Sequence, residues 1–342
     1  MAFLKNLFGK AAPAGPLTGE GHLASDLWVD QPGAAARIAD RARRGELSAA
    51  QAEGLLHFVE RGYVVFRGGM SEAAIAGTLA DVDRVWSERP ADLAYAHSGA
   101  LRSFAYADQE RERRPSYRIA DLHSHSAAAL ELYLDPSIFA WVRLLFAEEP
   151  VATQSLFFEY GSQQALHRDP VFVQTTPPSH LVAAWIALED VGPDCGPLVY
   201  VPGTHRLPYH QFEPGEHRFD TSRYGEREAH AMAAFDRAQM ERQGLQPVPF
   251  TCRRGDVLIW HASLLHGGSP VTDPSLTRRS FVVHFSTVAT YKLRRQGIVE
   301  LVPDESGGRV ERPRILETER VLERDGCQGF DSPMRGYRPP RY

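Results

Sequence analysis

The amino-acid sequence predicts a mainly β fold, in which a double-sheet β-roll is flanked by helices. The first part of the chain shows helical periodicity, whereas from about Ser116 the pattern changes to short apolar strands separated by Gly and Pro turns. Helices that precede a run of short strands are typical of a two-sheet β architecture with helices packed outside it. A chain of 342 residues, 43% of them hydrophobic, is long enough to bury such a core.

The composition divides the chain into a lead-in and one domain. Residues 1–30 are rich in Gly, Ala and Pro, and we expect them to be poorly ordered. Residues 31–342 are expected to form a single domain. Its parts are a helical N-terminal region over 31–115, a β core over about 116–290 and a charged, Pro- and Gly-rich C-terminal extension over 291–342.

Individual elements follow from capping residues, periodicity and alternation. Ser48 is a suitable N-cap for a helix that ends at about Arg61, and Ser71 caps the next helix. Further helices are predicted near 135–147 and 226–243. The strand candidates are 62–66, 117–122, 151–160, 166–174, 181–188, 198–201, 248–252, 257–261 and 278–287.

Charge and hydropathy exclude several classes of function. The formal net charge is −5, so the chain lacks the basic field that attracts nucleic acid or anionic lipid. It contains no apolar stretch long enough for a transmembrane helix, and its N-terminal apolar run is too short for a secretory signal. The three cysteines include no Cys-x-x-Cys pair, which is typical of the reducing cytoplasm. We therefore expect a cytoplasmic protein that acts on a small molecule, and its oligomeric state is left open.

Two polar residues in the candidate strand 166–174 point to a metal site. His167 and Asp169 are two positions apart, so in a strand their side chains lie on one face while Arg168 points away. An imidazole and a carboxylate that converge in this way can provide two adjacent ligands for a divalent metal ion. The pair alone is weak evidence, because two polar residues at this spacing often occur by chance.

A second segment, residues 255–269, can supply a third ligand. A Gly-Asp turn begins an apolar strand, which leads to His261, His266 and two glycines that leave space beside them. Either histidine would complete a triad with His167 and Asp169. A triad of two histidines and one carboxylate fills one face of an octahedron and leaves three positions free, as non-haem Fe(II) oxygenases require. Alternatively, both histidines are ordinary strand-end residues that are hydrogen-bonded to the backbone.

The candidate strand 278–287 has a polar face and an apolar face. Its two sets of alternate residues are Arg278, Ser280, Val282 and His284, and Arg279, Phe281, Val283 and Phe285. The aromatic set should pack beneath helices, with Arg279 at its exposed end. Arg278 would then face the pocket, where its guanidinium can bind a carboxylate through two hydrogen bonds.

Together, these segments resemble the phytanoyl-CoA dioxygenase (PhyH) family of Fe(II)- and 2-oxoglutarate-dependent oxygenases. The resemblance covers about residues 62–287, and the order and spacing of five motifs make it specific. The motifs are Q-x-x-H-x-D at 164–169, Trp185 in the next strand, G-P-L-V-Y-V-P-G-T-H-R at 196–206, G-D-V-L-I-W-H-x4-H-G at 255–267 and R-R-S at 278–280.

The resemblance implies a double-stranded β-helix core, which is a jelly-roll of the cupin-like kind, and a dioxygenase that uses Fe(II), 2-oxoglutarate and O2. It implies that iron is bound by His167, Asp169 and His266, and that His261 is a core residue or lies behind the ligands. Arg278 would hold the C5 carboxylate of 2-oxoglutarate. The other residues expected near this cosubstrate are Trp185, Gln164 and Ser280. The carboxylate of Asp169 favours hydroxylation or desaturation, because halogenases of this type have a small residue at that position.

The substrate is the least determined feature of the sequence. A long-chain CoA ester would need a basic patch for its phosphates, and the run at 111–114 is expected to be a solvated loop instead. Arg118 and His205 are the candidate substrate contacts, which favours a small or medium polar metabolite, such as a natural-product or sugar scaffold. Hydroxylation would release succinate and CO2. The alternatives are a zinc hydrolase that uses the same His/Asp/His face, and a non-catalytic jelly-roll binding protein.

Overall fold

The computed structural model describes residues 21–331 except for 24, 89, 91–92, 98–103, 106–116, 174, 176, 221–222, 291–298, 304–308 and 314–320. The α-helices in these ranges are α1 (Ala34–Arg43), α2 (Ala49–Arg61), α3 (Glu72–Glu88), α4 (Ala127–Tyr133), α5 (Pro136–Phe146) and α6 (Glu226–Gln243). The strands are β1 (Tyr63–Phe66), β2 (Ala94–His97), β3 (Phe104–Ala105), β4 (Tyr117–Ala120), β5 (Pro150–Phe158), β6 (Val182–Ala187), β7 (Leu198–Tyr200), β8 (Val248–Pro249), β9 (Val257–His261), β10 (His266–Gly268), β11 (Ser280–Thr287), β12 (Val299–Pro303), β13 (Arg309–Pro313), β14 (Val321–Arg324) and β15 (Cys327–Phe330). Short 3-10 helices occupy Trp28–Asp30, Leu122–Ser124, Asp169–Val171 and Thr204–Arg206.

Within the described ranges, two sheets form a β-roll. The large sheet has the order β1-β9-β6-β11-β5-β4-β2-β3, with β15 joined to β5 and β14 joined to β15. The small sheet has the order β10-β7-β8, and β12 pairs with β13 separately. Trp185 and Val282 of the large sheet and Tyr200 of the small sheet belong to one buried cluster between the sheets. The predicted double-sheet roll flanked by helices is therefore confirmed.

The outer face of the large sheet packs against helices. Phe281, Val283 and Phe285 of β11 lie in this helix-side core. The ring of Phe285 meets that of Phe139 in α5 edge to face, with 5.3 Å between the centroids. Val282, on the other side of the strand, lies in the core between the sheets. The alternation predicted for β11 is confirmed, and it turns the polar face of this strand towards the inside of the roll.

The predicted helix starts are confirmed by their caps. The Ser48 side chain accepts a hydrogen bond from the Gln51 amide at 3.2 Å, and the Gln51 side chain accepts one from the Ser48 amide at 2.9 Å. These two bonds form a capping box at the start of α2. The Ser71 side chain accepts from the Ala74 amide at 3.3 Å at the start of α3. The bounds of α6 coincide with those predicted from the sequence.

The strand predicted over 166–174 is wrong. The segment forms one isolated β-bridge, between His167 and His266, and then a 3-10 helix over Asp169–Val171. Pro170 lies in the first turn of that helix, and proline has no N–H to donate to a sheet. The seven other strands predicted between 117 and 287 are present as β4, β5, β6, β7, β8, β9 and β11, with shifted ends.

Both ends of the described chain contribute to the core. Leu27, Trp28 and Val29 are buried, and the Trp28 indole N–H donates to the carbonyl of Leu144 at 3.0 Å. Apolar side chains at the end of the predicted lead-in over 1–30 are therefore packed against the rest of the protein. Residues 1–20 lie outside the described residues. In the C-terminal extension, Cys327 of β15 is buried in the helix-side core.

No helix in the described part of the chain is long and apolar enough to cross a membrane.

Candidate active site

Three side chains from two distant segments converge inside the roll. The Nε2 atoms of His167 and His266 lie 3.9 Å and 3.4 Å from Oδ1 of Asp169. One potential ligand atom from each of the three residues lies within 4.8 Å of the others. This is the spacing of ligands around a single metal ion, and two histidines with one carboxylate leave further coordination positions free.

Backbone hydrogen bonds hold two of the ligands directly opposite each other. The His167 amide donates to the His266 carbonyl at 2.9 Å, and the His266 amide donates back at 3.0 Å. The 3-10 helix then turns the chain so that the Asp169 amide donates to the carbonyl of Ala262 at 3.1 Å. His167 and Asp169 therefore converge as predicted, but through a bridge and a helical turn instead of strand alternation.

Each histidine is oriented by the nitrogen that faces away from the triad. The Nδ1 atom of His167 bonds to the carbonyl of Ala165 at 2.9 Å, and Nδ1 of His266 bonds to the carbonyl of Leu264 at 2.9 Å. Because a carbonyl only accepts, Nδ1 carries the proton and the Nε2 lone pair is left for a metal. This tautomer is the one that a metal-binding histidine needs.

Charge and burial favour the metal-binding forms of His167 and Asp169. Burial, together with the neighbouring His266, lowers the pKa of His167 to about 4, so His167 is neutral near pH 7. Burial raises the pKa of Asp169, but the nearby His266 and His284 outweigh burial, and the net pKa lies below its ordinary value. A neutral imidazole and an ionised carboxylate are the ligand forms of these residues.

His261 has partners of its own outside the triad. Its Nε2 atom lies 3.1 Å from Oδ2 of the buried Asp30, and its Nδ1 atom accepts from the Ser263 amide at 2.9 Å. Both ring nitrogens are therefore used. Of the two histidines that the sequence left as alternatives, the structure brings His266 to the triad and keeps His261 in the core.

The two glycines after His266 make room for the backbone of another segment. A Cβ atom on Gly267 would lie 2.6 Å from the carbonyl oxygen of Gln164, and one on Gly268 would lie 2.5 Å from the amide nitrogen of Gln163. The space predicted beside the histidine therefore holds the chain that leads to His167. This close approach allows the β-bridge between the ligands to form.

Arg278 lies inside the roll, as the polar face of β11 predicts. It is buried, and its guanidinium carbon lies 5.5 Å from the ring centroid of Phe158 and 5.6 Å from that of Trp185. Nη2 donates to the carbonyl of Tyr160 at 3.2 Å. Burial lowers the pKa of Arg278 to about 10, so the side chain stays charged at neutral pH.

Arg279 points away from Arg278, as predicted. Its Nη2 atom lies 3.5 Å from Oε1 of Glu159, and its side chain remains partly exposed. Sequence reasoning placed Arg279 at the exposed end of the apolar face but did not find this carboxylate partner, because β5 and β11 are far apart in the chain. The register of the two strands brings them together.

Several buried polar atoms beside Arg278 lack a hydrogen-bond partner among the described residues. They are Nε of Arg278, Nε1 of Trp185, Oγ of Ser280 and Nε of Arg118. Buried donors are nearly always paired, so a cluster of unpaired ones marks a place where a polar ligand fits. Two of these residues are cationic, and the cluster therefore fits an anion such as a dicarboxylate. The fourth predicted cosubstrate residue, Gln164, places Nε2 3.4 Å from Nε2 of His167.

The two predicted substrate contacts lie in different places. Arg118 of β4 lies opposite Phe158 in the sheet, with its guanidinium carbon 5.8 Å from that ring centroid, so it shares the inner face with Arg278. His205 is buried beside His261, at 5.3 Å between ring centroids, and its Nε2 atom bonds to the carbonyl of Val59 at 3.2 Å. The T-H-R turn therefore packs the ring of His205 into the core, whereas Arg118 lies on the inner face of the large sheet.

His284 and Trp260 are site residues that sequence reasoning did not single out. His284 is buried on the inner face of β11, and Asp169 and His266 are among the groups that influence its pKa. Trp260 donates its indole N–H to Oδ2 of Asp169. The signal for His284 was present, since alternation placed it on the polar face. Trp260 could be read only as an apolar strand residue. The basic run at 111–114 lies outside the described residues.

Comparison with known proteins identifies the family. Residues 58–280 match the phytanoyl-CoA dioxygenase (PhyH) family, which is more than half of the chain. The chain belongs to the phytanoyl-CoA dioxygenase family. It is similar to phytanoyl-CoA dioxygenase domain-containing protein 1 of Mus musculus, at 27% identity over 175 residues that cover 49% of this chain and 56% of the relative. It is also similar to the peroxisomal phytanoyl-CoA dioxygenase of Rattus norvegicus, at 23% identity over 226 residues and 61% of each chain. The matched part thus spans between half and two thirds of these relatives.

Solved structures have the same fold. The non-haem alpha-ketoglutarate-dependent carbocyclase SnoK from nogalamycin biosynthesis aligns with a TM-score of 0.53 and 20% identity, over 78% of this chain and 95% of SnoK. EctD from S. alaskensis, solved with 2-oxoglutarate and 5-hydroxyectoine, aligns with a TM-score of 0.51 and 18% identity, over 83% of this chain and 86% of EctD. These likenesses confirm the jelly-roll fold expected for this PhyH family member.

Family membership and the triad together support Fe(II) and 2-oxoglutarate as the expected cofactors of this PhyH protein. The neighbours of the same fold include a carbocyclase and an epimerase, so the fold alone does not fix the reaction.

Proposed function

We propose that this protein is an Fe(II)- and 2-oxoglutarate-dependent dioxygenase that hydroxylates a small or medium polar metabolite, such as a natural-product or sugar scaffold, with release of succinate and CO2. The observation that carries the proposal is the presence of both an open His/Asp/His triad and a buried guanidinium, that of Arg278, inside the roll. A zinc hydrolase would give the triad a function but would leave Arg278 and its unpaired neighbours without one.

The residues of the site would divide the work of binding. His167, Asp169 and His266 would hold the iron, which supplies redox chemistry with O2 when it is bound. Arg278 would hold the distal carboxylate of 2-oxoglutarate, since the charge is already desolvated and its Nε has no other partner among the described residues. Trp185 and Ser280 offer further donors, and Gln164 lies beside His167.

Arg118 would orient the substrate. Its guanidinium lies on the inner face, burial lowers its pKa, and its Nε atom lacks a partner among the described residues. A positive charge at this place favours a substrate with a polar or anionic group. The position of the bound substrate relative to the iron would select the C–H bond that is oxidised. The apolar side chains around Trp185 would exclude water from the site.

The test is the formation of succinate from 2-oxoglutarate with Fe(II), ascorbate and O2, first without substrate and then with a metabolite library. We expect slow succinate formation that one class of metabolite accelerates, with a product heavier by one oxygen atom. Hydrolysis of an ester or amide with Zn(II), and no succinate under any condition, would contradict the proposal. We also propose a cytoplasmic location, in line with the three free cysteines.

A further inference from the structure

Phe172 is an exposed aromatic side chain next to a metal ligand. It is 43% exposed, although Asp169 and Val171 just before it are buried. The centroid of its ring lies 5.8 Å from that of His167, and the two rings meet edge to face. Single exposed apolar residues are common on protein surfaces and need no explanation by themselves. This one is distinguished by its contact with the triad.

The exposure of the three ligands shows where the site opens. The side chain of His167 is 12% exposed, whereas those of Asp169 and His266 are 5% and 7% exposed. Solvent therefore reaches the triad mainly from the side of His167, which is the side that Phe172 borders. A molecule that approaches the metal from this side passes the exposed ring.

The ring of Phe172 packs against further aromatic rings. We call the cluster of four rings the aromatic shelf, and its members are Phe172, Phe219, Phe212 and Tyr224. Phe219 lies 6.2 Å from Phe172 and 5.5 Å from Phe212, and Phe212 stacks on Tyr224 at 4.7 Å. The Phe219 amide donates to the carbonyl of Val171 at 3.1 Å, which ties the shelf to the metal-binding segment. The shelf therefore fixes the position of the Phe172 ring, while part of the ring remains exposed to solvent.

We propose that Phe172 binds one flat ring of the substrate beside the metal, either a planar aromatic ring or the C–H face of a sugar. The inference rests on the proposed function and narrows its substrate to a ring-bearing molecule. A rigid aromatic ring offers a large contact area at little cost in conformational entropy, and it stacks on any flat face with little demand on hydrogen bonding. The substrate is the occupant because the shelf is continuous with the triad through His167.

The experiment uses the full chain with Mn(II) in place of Fe(II) and with saturating 2-oxoglutarate. The probes are indole and methyl β-D-glucopyranoside, and their proton relaxation is measured by NMR against the Zn(II)-loaded protein. Because Mn(II) speeds the relaxation of nearby protons, we expect faster relaxation of the ring protons of at least one probe. Phe172→Ser should weaken its binding about tenfold. Phe172→Tyr should keep it, and so should Leu56→Ser, which changes an equally exposed residue on α2 (41% exposed).

Mn(II) binding is measured separately by electron paramagnetic resonance, so that two kinds of failure can be told apart. Wild-type protein that does not bind Mn(II) at the triad would overturn the proposed function and this inference with it. Normal Mn(II) binding with no enhanced relaxation of either probe, or with the same enhancement in Phe172→Ser, would overturn the inference alone.

Discussion

The indole N–H of Trp260 donates to Oδ2 of Asp169, and the two heavy atoms are 2.9 Å apart. Both residues are buried, and the ring of Trp260 also lies 4.8 Å from that of His266. The bond occupies one carboxylate oxygen and leaves Oδ1 directed at the two histidines. A tryptophan in the core between the sheets therefore determines which oxygen of Asp169 can bind a metal.

We expect Trp260→Phe to weaken metal binding. The aromatic ring is kept, but the carboxylate loses its orienting donor, and loss of such a partner typically lowers metal affinity about 10- to 100-fold. Titration with Fe(II) under anaerobic conditions measures the effect. Trp28→Phe is the matched control, because it removes an indole bond to the carbonyl of Leu144 away from the triad. Equal metal affinity in wild type and Trp260→Phe would contradict the expectation.

The two histidines that end β9 and begin β10, which are His261 and His266, should respond differently to truncation. His266→Ala should abolish stoichiometric Fe(II) binding, because it removes one of three ligands. His261→Ala should keep the metal but lower the free energy of unfolding by about 3–5 kcal/mol, since it leaves the carboxylate of Asp30 buried without its partner. Metal titration and urea unfolding of both variants separate the effects. Loss of metal in His261→Ala alone would show that the distal ligand is wrongly assigned.

The adjacent arginines provide a test of the strand register. Arg278→Ala should weaken 2-oxoglutarate binding by about 2–5 kcal/mol, as expected for loss of a buried, hydrogen-bonded charge pair, while Fe(II) still binds. Arg279→Ala removes a partly exposed ion pair with Glu159, so the affinity for 2-oxoglutarate should change by about 0–1 kcal/mol. The metal-to-ligand charge-transfer band under anaerobic conditions follows both titrations. A larger loss in Arg279→Ala would mean that it is the residue that binds the cosubstrate.

A buried ion pair supports the segment that carries two of the ligands. Nη2 of Arg168 lies 3.0 Å from Oδ1 of Asp236 in α6, and both side chains are buried. Asp236→Asn should lower the free energy of unfolding by about 3–5 kcal/mol, because it leaves the guanidinium buried without its counter-charge. Asp40→Asn, which weakens the exposed pairs with Arg43 and Arg44, should cost about 0–1 kcal/mol. Urea unfolding of the two variants measures the difference. Equal unfolding midpoints for Asp236→Asn and Asp40→Asn would show that Asp236 does not stabilise this segment.

The sequence predicted best those features that depend on local alternation. In β11, Phe281 and Phe285 could pack only against helices, so Arg278 had to face inwards, and the structure has this arrangement. Helix caps such as Ser48 were predicted for the same reason, because a single side chain and the amides that follow it decide the outcome.

The errors arose where contacts between distant segments decide the local structure. His167 and Asp169 converge because one bonds to the backbone of His266 and the other to that of Ala262, and no pattern within 166–174 encodes these partners. His205 was a candidate substrate contact in the sequence, but its ring packs against that of His261. The end of the lead-in looked unstructured because it is short, although Trp28 has a bonding partner in α5.

The β-bridge between His167 and His266 has a consequence for how the protein holds together without its metal. The two residues lie far apart in the chain, and the same pair that would bind the iron also closes the gap between the metal-binding segment and β10. A bound ion would link the metal-binding segment to β10, and it would stabilise the folded state by its own binding free energy. Removing the metal leaves the backbone hydrogen bonds at this junction, which are the reciprocal pair between His167 and His266 and the bond from the Gly268 amide to the Gln164 carbonyl. The amides of His167 and His266 should then exchange with solvent sooner than those of β6 and β9, so the roll opens first where the metal would sit.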